Sequence, residues 1–134
     1  MKKLINLLAA LAIVLQFSAC GTSSDPVKIA EEFATAYLNA DYDKCNKMMN
    51  DEEFTPSGEM SSMEKAVVKA MKEEAKKMHY ILTIDKESSD PESSYPGIYF
   101  DITSKSDPDF DETIRVSLGK DDNGKWIVDS YKAF

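Results

Sequence analysis

The sequence has few residues of the types that bind nucleic acid or form catalytic motifs. It contains one arginine (Arg115), one histidine (His79), one tryptophan and two cysteines among 134 residues. A phosphate-binding surface needs clustered arginine and lysine, whereas this chain has 24 acidic residues and 16 basic ones. It also lacks a glycine-rich phosphate loop, a CxxC pair, an HExxH helix and a GxSxG turn. We therefore expect no nucleic-acid partner, no cofactor and no metal ion.

The N-terminal residues have the composition of an export signal. Lys2 and Lys3 precede fourteen mostly apolar residues (4–17), and the small residues Ser18 and Ala19 follow. This is the order of a signal peptide, with a positive start, an apolar segment and a small-residue cleavage site. The apolar segment is shorter than the roughly 20 residues that span a bilayer. A buried core helix is the alternative, and it is disfavoured because nearly every face of the segment is apolar.

The apolar segment ends at a cysteine. The residues FSAC (17–20) resemble the lipobox of bacterial lipoproteins. The resemblance implies that diacylglycerol is attached to the sulfur of Cys20 and that the chain is cut just before it. Two or more acyl chains hold a protein stably on a membrane. We therefore expect a signal peptide at 1–19, a lipidated tether at 20–24 and a domain at 25–134. Membrane lipid would hold this domain in the bacterial cell envelope, facing the periplasm or the exterior.

Cleavage before Cys20 would leave one acidic domain. Loss of Lys2 and Lys3 leaves 14 basic and 24 acidic residues, a net charge of −10, in a chain of 115 residues. That length fits a single domain with one modest core. With Cys20 acylated, Cys45 has no disulfide partner. Its place on the apolar face of a short helix predicts a buried, unreactive thiol rather than a reactive one.

Three helices are predicted in the first half of the domain. Asp25 caps the first, with a proline at the first helical position, and Asp41 caps a second, short helix before a loop at 50–60. Ser61 and Glu64 form a capping box at the start of the third helix. The apolar residues that define the inward faces recur at helical spacing. They are Val27, Ala30, Phe33, Ala34, Tyr37 and Leu38, then Tyr42, Cys45, Met48 and Met49, then Met63, Val67, Met71, Ala75 and Met78.

After His79 the apolar spacing changes from helical to alternating. Four strands are predicted, because β-branched and aromatic residues alternate with polar ones in the segments 80–84, 97–103, 112–118 and 125–134. The polar segment between the first two strands predicts a loop. Such alternation is typical of an antiparallel sheet with one buried face. That face is predicted to carry Ile98, Phe100 and Ile102 in the second strand and Ile114, Val116 and Leu118 in the third.

Helices followed by an antiparallel meander predict an α+β domain, with N-terminal helices packed on a curved antiparallel sheet. We expect Trp126 to be buried beside Ile114 and Val116, because a hairpin at 119–125 pairs the last two strands. The order of elements resembles the cone-shaped nuclear-transport-factor-2-like (cystatin-like) fold. With the lipobox, the segments DPVKIAEEFATAYLNADYDKCNKMM and KWIVDSYKAF resemble small bacterial lipoproteins of unknown function. The resemblance implies a fold and no particular activity.

His79, Tyr99 and Asp101 are the candidates for acid–base chemistry. Some enzymes of the fold that this chain resembles, such as ketosteroid isomerases, use an Asp base with Tyr and Asp donors deep in the cup. A general acid or base needs an orienting partner and a pocket, and the sequence shows no partner for His79. Alternation places Tyr99 and Asp101 on the face opposite the apolar residues of their strand, outside the cup. We therefore expect no convergent catalytic site at these residues.

Asp107, Asp109 and Asp111 alternate in the way that calcium ligands do. The calcium-loop template asks for glycine at its sixth position and glutamate at its twelfth. This sequence has Glu112 and Leu118 at those positions. The segment therefore predicts a solvated acidic turn rather than a metal site.

Three functions are open to a cup bordered by apolar helices. The leading hypothesis is a non-catalytic module that binds a small apolar ligand or another envelope protein. One alternative is an isomerase-like or dehydratase-like enzyme that uses the hydrophobic cup as its active site, and another is a purely structural envelope subunit. The methionines of the helices are predicted to fill the core rather than to form an adaptable binding surface.

Overall fold

Three helices precede a four-stranded sheet in the computed structural model, which describes residues 25–134. The elements in chain order are α1 (Pro26–Leu38), α2 (Tyr42–Met49), a short 3₁₀ helix (Ser57–Glu59), α3 (Ser62–Met78), β1 (Tyr80–Asp90), β2 (Gly97–Ser104), β3 (Asp111–Lys120) and β4 (Trp126–Ala133). This order confirms the predicted α+β class. No helix in this part of the chain is both long and apolar enough to cross a membrane.

Helix α1 begins as its sequence predicts, and its buried face includes Ala30, Phe33 and Ala34 of the predicted set. The backbone N–H of Val27 donates to the side chain of Asp25 at 3.0 Å, and Pro26 takes the first helical position. The N–H groups of a first helical turn have no partner within the helix. Here the N–H of Val27 is bonded to Asp25, and Pro26 has no N–H to satisfy. The buried residues of α1 are Ile29, Ala30, Phe33, Ala34 and Ala36. Because three of them are alanines, the helix backbone can lie close to the sheet.

Helix α2 carries a buried cysteine. Asp41 caps the helix by accepting from the backbone N–H of Lys44 at 3.4 Å, and Asn50 ends it in the left-handed conformation. Cys45 has no exposed surface, and burial raises the pKa of its thiol to about 12. The predicted burial of Cys45 is confirmed. A thiol with so high a pKa is almost entirely protonated at neutral pH, so Cys45 is expected to be unreactive.

The four strands form one antiparallel sheet in the order β1-β2-β3-β4. Ile98 lies opposite Val116, and Phe100 lies opposite Ile114. The buried side chains of the sheet are Ile98, Phe100, Ile102, Ile114, Val116, Leu118 and Val128, and they form one core with α1 and Cys45. The predicted alternation of β2 and β3 is therefore confirmed.

Strand β1 is longer than its sequence predicts. The alternating pattern stops at residue 84, but pairing with β2 continues to Asp90, with an irregular register after Asp85. The backbone N–H of Tyr99 donates to the hydroxyl of Ser89 at 2.9 Å, which holds the polar part of β1 to β2. The prediction of a loop there is wrong because the neighbouring backbone, rather than apolar side chains, maintains the strand at this edge of the sheet.

The predicted neighbours of Trp126 are wrong. Strands β3 and β4 pair with a register shift in the middle of β3, and Trp126 lies opposite Lys120. Tyr131 is the residue opposite Val116, while Ile114 pairs near the end of the chain. Trp126 is half-buried, and the ammonium nitrogen of Lys120 lies 4.6 Å from the centre of its ring. This geometry is a cation–π contact at the margin of the core.

Candidate functional site

Helix α3 leaves much of its apolar stripe exposed to solvent. Met63, Val67 and Met71 are 78%, 54% and 43% exposed, and Ala75 is the one buried residue of the helix. The α3 backbone approaches the other helices and strands only at isolated points. The prediction that the stripe fills the core is therefore wrong for the first half of α3. Met63 is the most exposed of the three, and Met71 is partly covered by the Tyr42 hydroxyl, which lies 3.7 Å from its sulfur.

The C-terminal end of α3 is tied to the sheet. The hydroxyls of Ser104 and Ser106 donate to the backbone carbonyls of Met78 and Lys77, which are among the last four carbonyls of the helix. His79 then adopts the left-handed conformation, with φ 49°, and turns the chain into β1. These hydrogen bonds attach the C-terminal end of the helix to the end of β2 and the residues that follow it.

A groove of about 420 Å³ lies between α3 and the body of the domain. We call it the α3 groove. One side is the aromatic cluster, which we define as Tyr37, Tyr42, Phe54 and Tyr131, and the other side consists of Met63, Val67, Val68 and Met71. Thr55, Met60 and Glu64 complete the lining. Small-molecule sites are concave, mostly apolar and about 300–1,000 Å³ in volume, with a few polar groups. The α3 groove has this size and composition.

Ring contacts hold the aromatic cluster together. Tyr42 and Phe54 stack with ring centres 4.5 Å apart and planes at 12°. Tyr37 and Tyr131 pack at 5.0 Å with planes at 50°. The Tyr42 hydroxyl also donates to the sulfur of Met71 at 3.7 Å, which connects the two sides of the groove. Each aromatic pair contributes about 0.5–1.5 kcal/mol beyond its buried area, so this side of the groove is formed before any ligand arrives.

A buried amide places the ring of Phe54. The side chain of Asn46 donates from Nδ2 to the backbone carbonyl of Phe54 at 2.8 Å and accepts at Oδ1 from its N–H at 2.9 Å. This pair of bonds satisfies both backbone groups of a loop residue, as a neighbouring strand would. The sequence does not indicate the roles of Asn46 and Phe54, because an asparagine within a helix and a phenylalanine within a loop do not predict a contact.

Burial and nearby negative charge raise the pKa values of the tyrosines in the cluster. The pKa of Tyr131 rises to about 12, chiefly through burial and then through Tyr37 and Glu53. Burial also raises the pKa of Tyr37, with a smaller contribution from Glu112. The pKa of Tyr42 is raised as well, again mainly by burial. All three phenols are therefore neutral at physiological pH and can donate hydrogen bonds.

A second groove, of about 710 Å³, lies beside the C-terminal half of α3 and has a more polar lining. Glu31, Asn39, Lys76 and His79 contribute to it. Burial raises the pKa of the Glu31 carboxyl, whereas the His79 side chain is exposed. Polar atoms make up a larger share of its lining than in the α3 groove, so an apolar ligand would have to displace more water from polar groups there. The α3 groove is the better candidate for a binding site.

Tyr99 and Asp101 lie on the outer face of β2, as the alternation predicts. Asp101 is exposed and accepts from the hydroxyl of Thr113 at 3.5 Å. The guanidinium of Arg115 lies 5.7 Å from the ring centre of Tyr99. Neither Tyr99 nor Asp101 lines either groove, while His79 lines the second one. The structure therefore does not bring the three residues together in a groove.

The alternating aspartates form a turn that closes on itself. The N–H of Asp109 donates to the carboxylate of Asp107 at 3.1 Å, and the N–H of Phe110 donates to the Asp107 carbonyl at 3.2 Å. No group of three or more His, Cys, Asp or Glu side chains in residues 25–134 is placed to hold a metal ion.

Cys20, the predicted lipidation site, lies outside the described residues, as does the predicted signal peptide.

Comparison with known proteins identifies no relative of this chain. No protein-family model matches it, and no curated protein or solved structure matches it significantly. The function is therefore inferred from the α3 groove and from the N-terminal motif.

Proposed function

We propose that the protein is a bacterial envelope lipoprotein whose domain binds a small apolar ligand in the α3 groove without transforming it. Acylation of Cys20 would hold the domain on membrane lipid, facing the periplasm or the exterior. The domain would belong to the nuclear-transport-factor-2-like class, a proposal supported by the order of three helices followed by an antiparallel meander. The observation that carries the binding function is an open groove with apolar side chains on both sides.

Covering the exposed stripe supplies the binding energy. Complete burial of a valine or methionine side chain contributes about 1.5–3 kcal/mol, and Met63, Val67 and Met71 are between 43% and 78% exposed. The aromatic side of the groove is already ordered by its ring contacts, so a ligand loses little affinity to ordering that side. A flexible apolar molecule between the two sides therefore gains contact with both.

The polar groups of the groove favour binding over proton transfer. A general acid or base works best when its pKa is near the operating pH, whereas the pKa of Tyr131 is raised to about 12 and those of Tyr37 and Tyr42 are also raised. The Glu64 carboxylate accepts from the backbone N–H of Ser61 at 2.7 Å, as part of the α3 capping box. These groups can orient a ligand by donating or accepting hydrogen bonds.

The binding function is tested with N-phenylnaphthylamine, a neutral apolar probe that fluoresces when it leaves water. Val67→Glu places a carboxylate among the apolar side chains of the groove, and its desolvation should weaken probe binding by about tenfold or more. Ile81→Glu makes the same kind of change at an exposed apolar residue of β1 outside the α3 groove, and it should leave the affinity unchanged. Equal affinities for wild type and a folded Val67→Glu variant would contradict the proposal.

The anchor is tested by labelling cells with a radioactive fatty acid. Wild type and Cys45→Ser should both carry the label, because Cys45 is buried in the domain. Cys20→Ser should carry none, and it should leave the membrane fraction or retain its signal peptide. Fatty acid on the Cys20→Ser variant would overturn this assignment.

A further inference from the structure

We infer that the α3 groove selects cationic amphiphiles, so that its ligand is an apolar molecule bearing an amine or quaternary ammonium group. This inference rests on the proposal that the groove binds an apolar ligand, and it adds the chemical class of that ligand. Three observations carry it: the charge of the lining, the aromatic cluster and the acidic residues around that cluster.

The lining carries negative charge and no positive charge. Glu64 is the one Asp, Glu, Lys, Arg or His among the lining residues that the structure describes. Helix α3 is rich in lysine, yet Lys65, Lys69 and Lys72 are absent from the lining. At 3.6 residues per turn Lys65 and Lys69 lie on the side of α3 opposite Val67. Lys72 lies nearer to α2, where hydrogen bonds from Ser57 and then the charge of Lys72 lower the pKa of the Asp43 carboxyl. The apolar side of the helix therefore lines the groove, and none of these three lysines does.

The aromatic cluster provides the surface that a cation needs. An ammonium group within about 6 Å of an aromatic ring centre is attracted to the negative face of the ring, and tyrosine and phenylalanine both serve. Tyr37 is tilted by about 50° against both Phe54 and Tyr131. Rings set at such angles present faces and edges in several directions, so a bulky ammonium group can contact more than one of them.

Two acidic residues whose charges reach the aromatic cluster also favour a positive headgroup. Glu53 and Glu112 each contribute to the raised pKa values of the tyrosines, Glu53 at Tyr131 and Glu112 at Tyr37. A negative field that disfavours a phenolate also disfavours a carboxylate or phosphate headgroup at the same place. The positive end of α3 does not reverse this field, because the Glu64 carboxylate is bonded to the N-cap and offsets the helix dipole.

The test compares three ten-carbon compounds whose headgroups are positive, neutral and negative: decyltrimethylammonium, decanol and decanoate. Each is used to displace N-phenylnaphthylamine from the full-length chain at low salt, the two ionic compounds below their micelle concentrations and decanol below its solubility limit. The ammonium compound should bind about 5- to 30-fold more tightly than the alcohol, and the carboxylate should bind least. Equal or tighter binding of decanol or decanoate would overturn the inference and leave the proposed function standing. Failure of the ammonium compound to displace a bound probe would also overturn the inference. If the probe itself does not bind, the proposed function fails as well.

Glu64→Gln locates the selectivity within the groove. Glutamine also serves at this position of a capping box, so the helix start is kept while the charge is lost. The preference for the ammonium compound should fall by about three- to fivefold, with decanol affinity unchanged. Glu73→Gln removes the same charge from an exposed residue of α3 that does not line the groove, and it should change neither affinity. An equal loss of preference in both variants would show that only net charge matters and would overturn the assignment to the groove.

Discussion

Phe33→Ala tests whether packing in the core supports the aromatic side of the α3 groove. Phe33 has no exposed surface, and its ring centre lies 5.4 Å from that of Tyr131, a member of the aromatic cluster. Replacing a buried phenylalanine with alanine costs about 3–5 kcal/mol, and the upper part of that range applies where an aromatic pair is also lost. A domain of this size has roughly 5–15 kcal/mol of stability in total. The variant should therefore lose about a quarter or more of its stability.

Urea unfolding monitored by Trp126 fluorescence measures this loss. With a slope of about 1–3 kcal/mol per molar urea, the midpoint should fall by about 2 M. Phe134→Ala is the matched control, because it makes the same change at a phenylalanine that is 59% exposed, and it should cost about 1 kcal/mol or less. Below the new midpoint, N-phenylnaphthylamine binding should also weaken, since Tyr131 loses its support. A loss at Phe33 no larger than that at Phe134 would refute the packing of α1 on the sheet.

Two ionisable groups allow further tests. With a pKa of about 12 and no exposed surface, Cys45 should react with thiol reagents at neutral pH only when the domain opens; labelling as fast as free cysteine would contradict its burial. The pKa of Tyr131 is raised from 10.0 to about 12, so the folded state holds this proton more tightly than the unfolded state does. Stability should be independent of this group below pH 10 and should fall as the pH rises towards 12. Tyr131→Phe should reduce that fall in urea titrations, whereas Tyr95→Phe, at an exposed tyrosine, should not.

Helices and strands whose buried side chains recur at a regular spacing could be predicted from the sequence. In β2 the apolar period and the buried residues coincide, and in α1 the centre of the predicted face, Ala30, Phe33 and Ala34, is buried, because these elements meet across the core. The stripe of α3 has an equally clear period, but a period indicates only that a helix has an apolar face. It does not show what covers that face. Here α1 and α2 already pack on the sheet, and the first half of α3 borders a groove instead.

The groove itself could not be predicted from the sequence. Its aromatic cluster takes one ring each from α1, α2, the loop before the 3₁₀ helix and β4, and no local pattern shows that residues so far apart in the chain will meet. The position of Tyr131 opposite Val116 depends on a register shift within the β3–β4 pair. Trp126 lies on the other side of that shift, next to the hairpin and opposite Lys120, and is therefore several residues along the strand from Ile114 and Val116. A shift of one residue changes which side chains share a face, and turn signals do not report it.

The irregular second half of β1 affects how neighbouring molecules can meet. In the described sheet β1 is an edge strand, and an edge strand offers unpaired backbone groups to which another chain can add. Here the N–H groups of Glu87 and Ser88 both donate to the Asp85 carboxylate, at 3.1 and 3.2 Å. Those donors are already occupied, and the charges of Lys86 and Glu87 lie beside them. Anchoring at Cys20 would crowd many copies onto one membrane surface, and there this edge would keep them from joining into a continuous sheet.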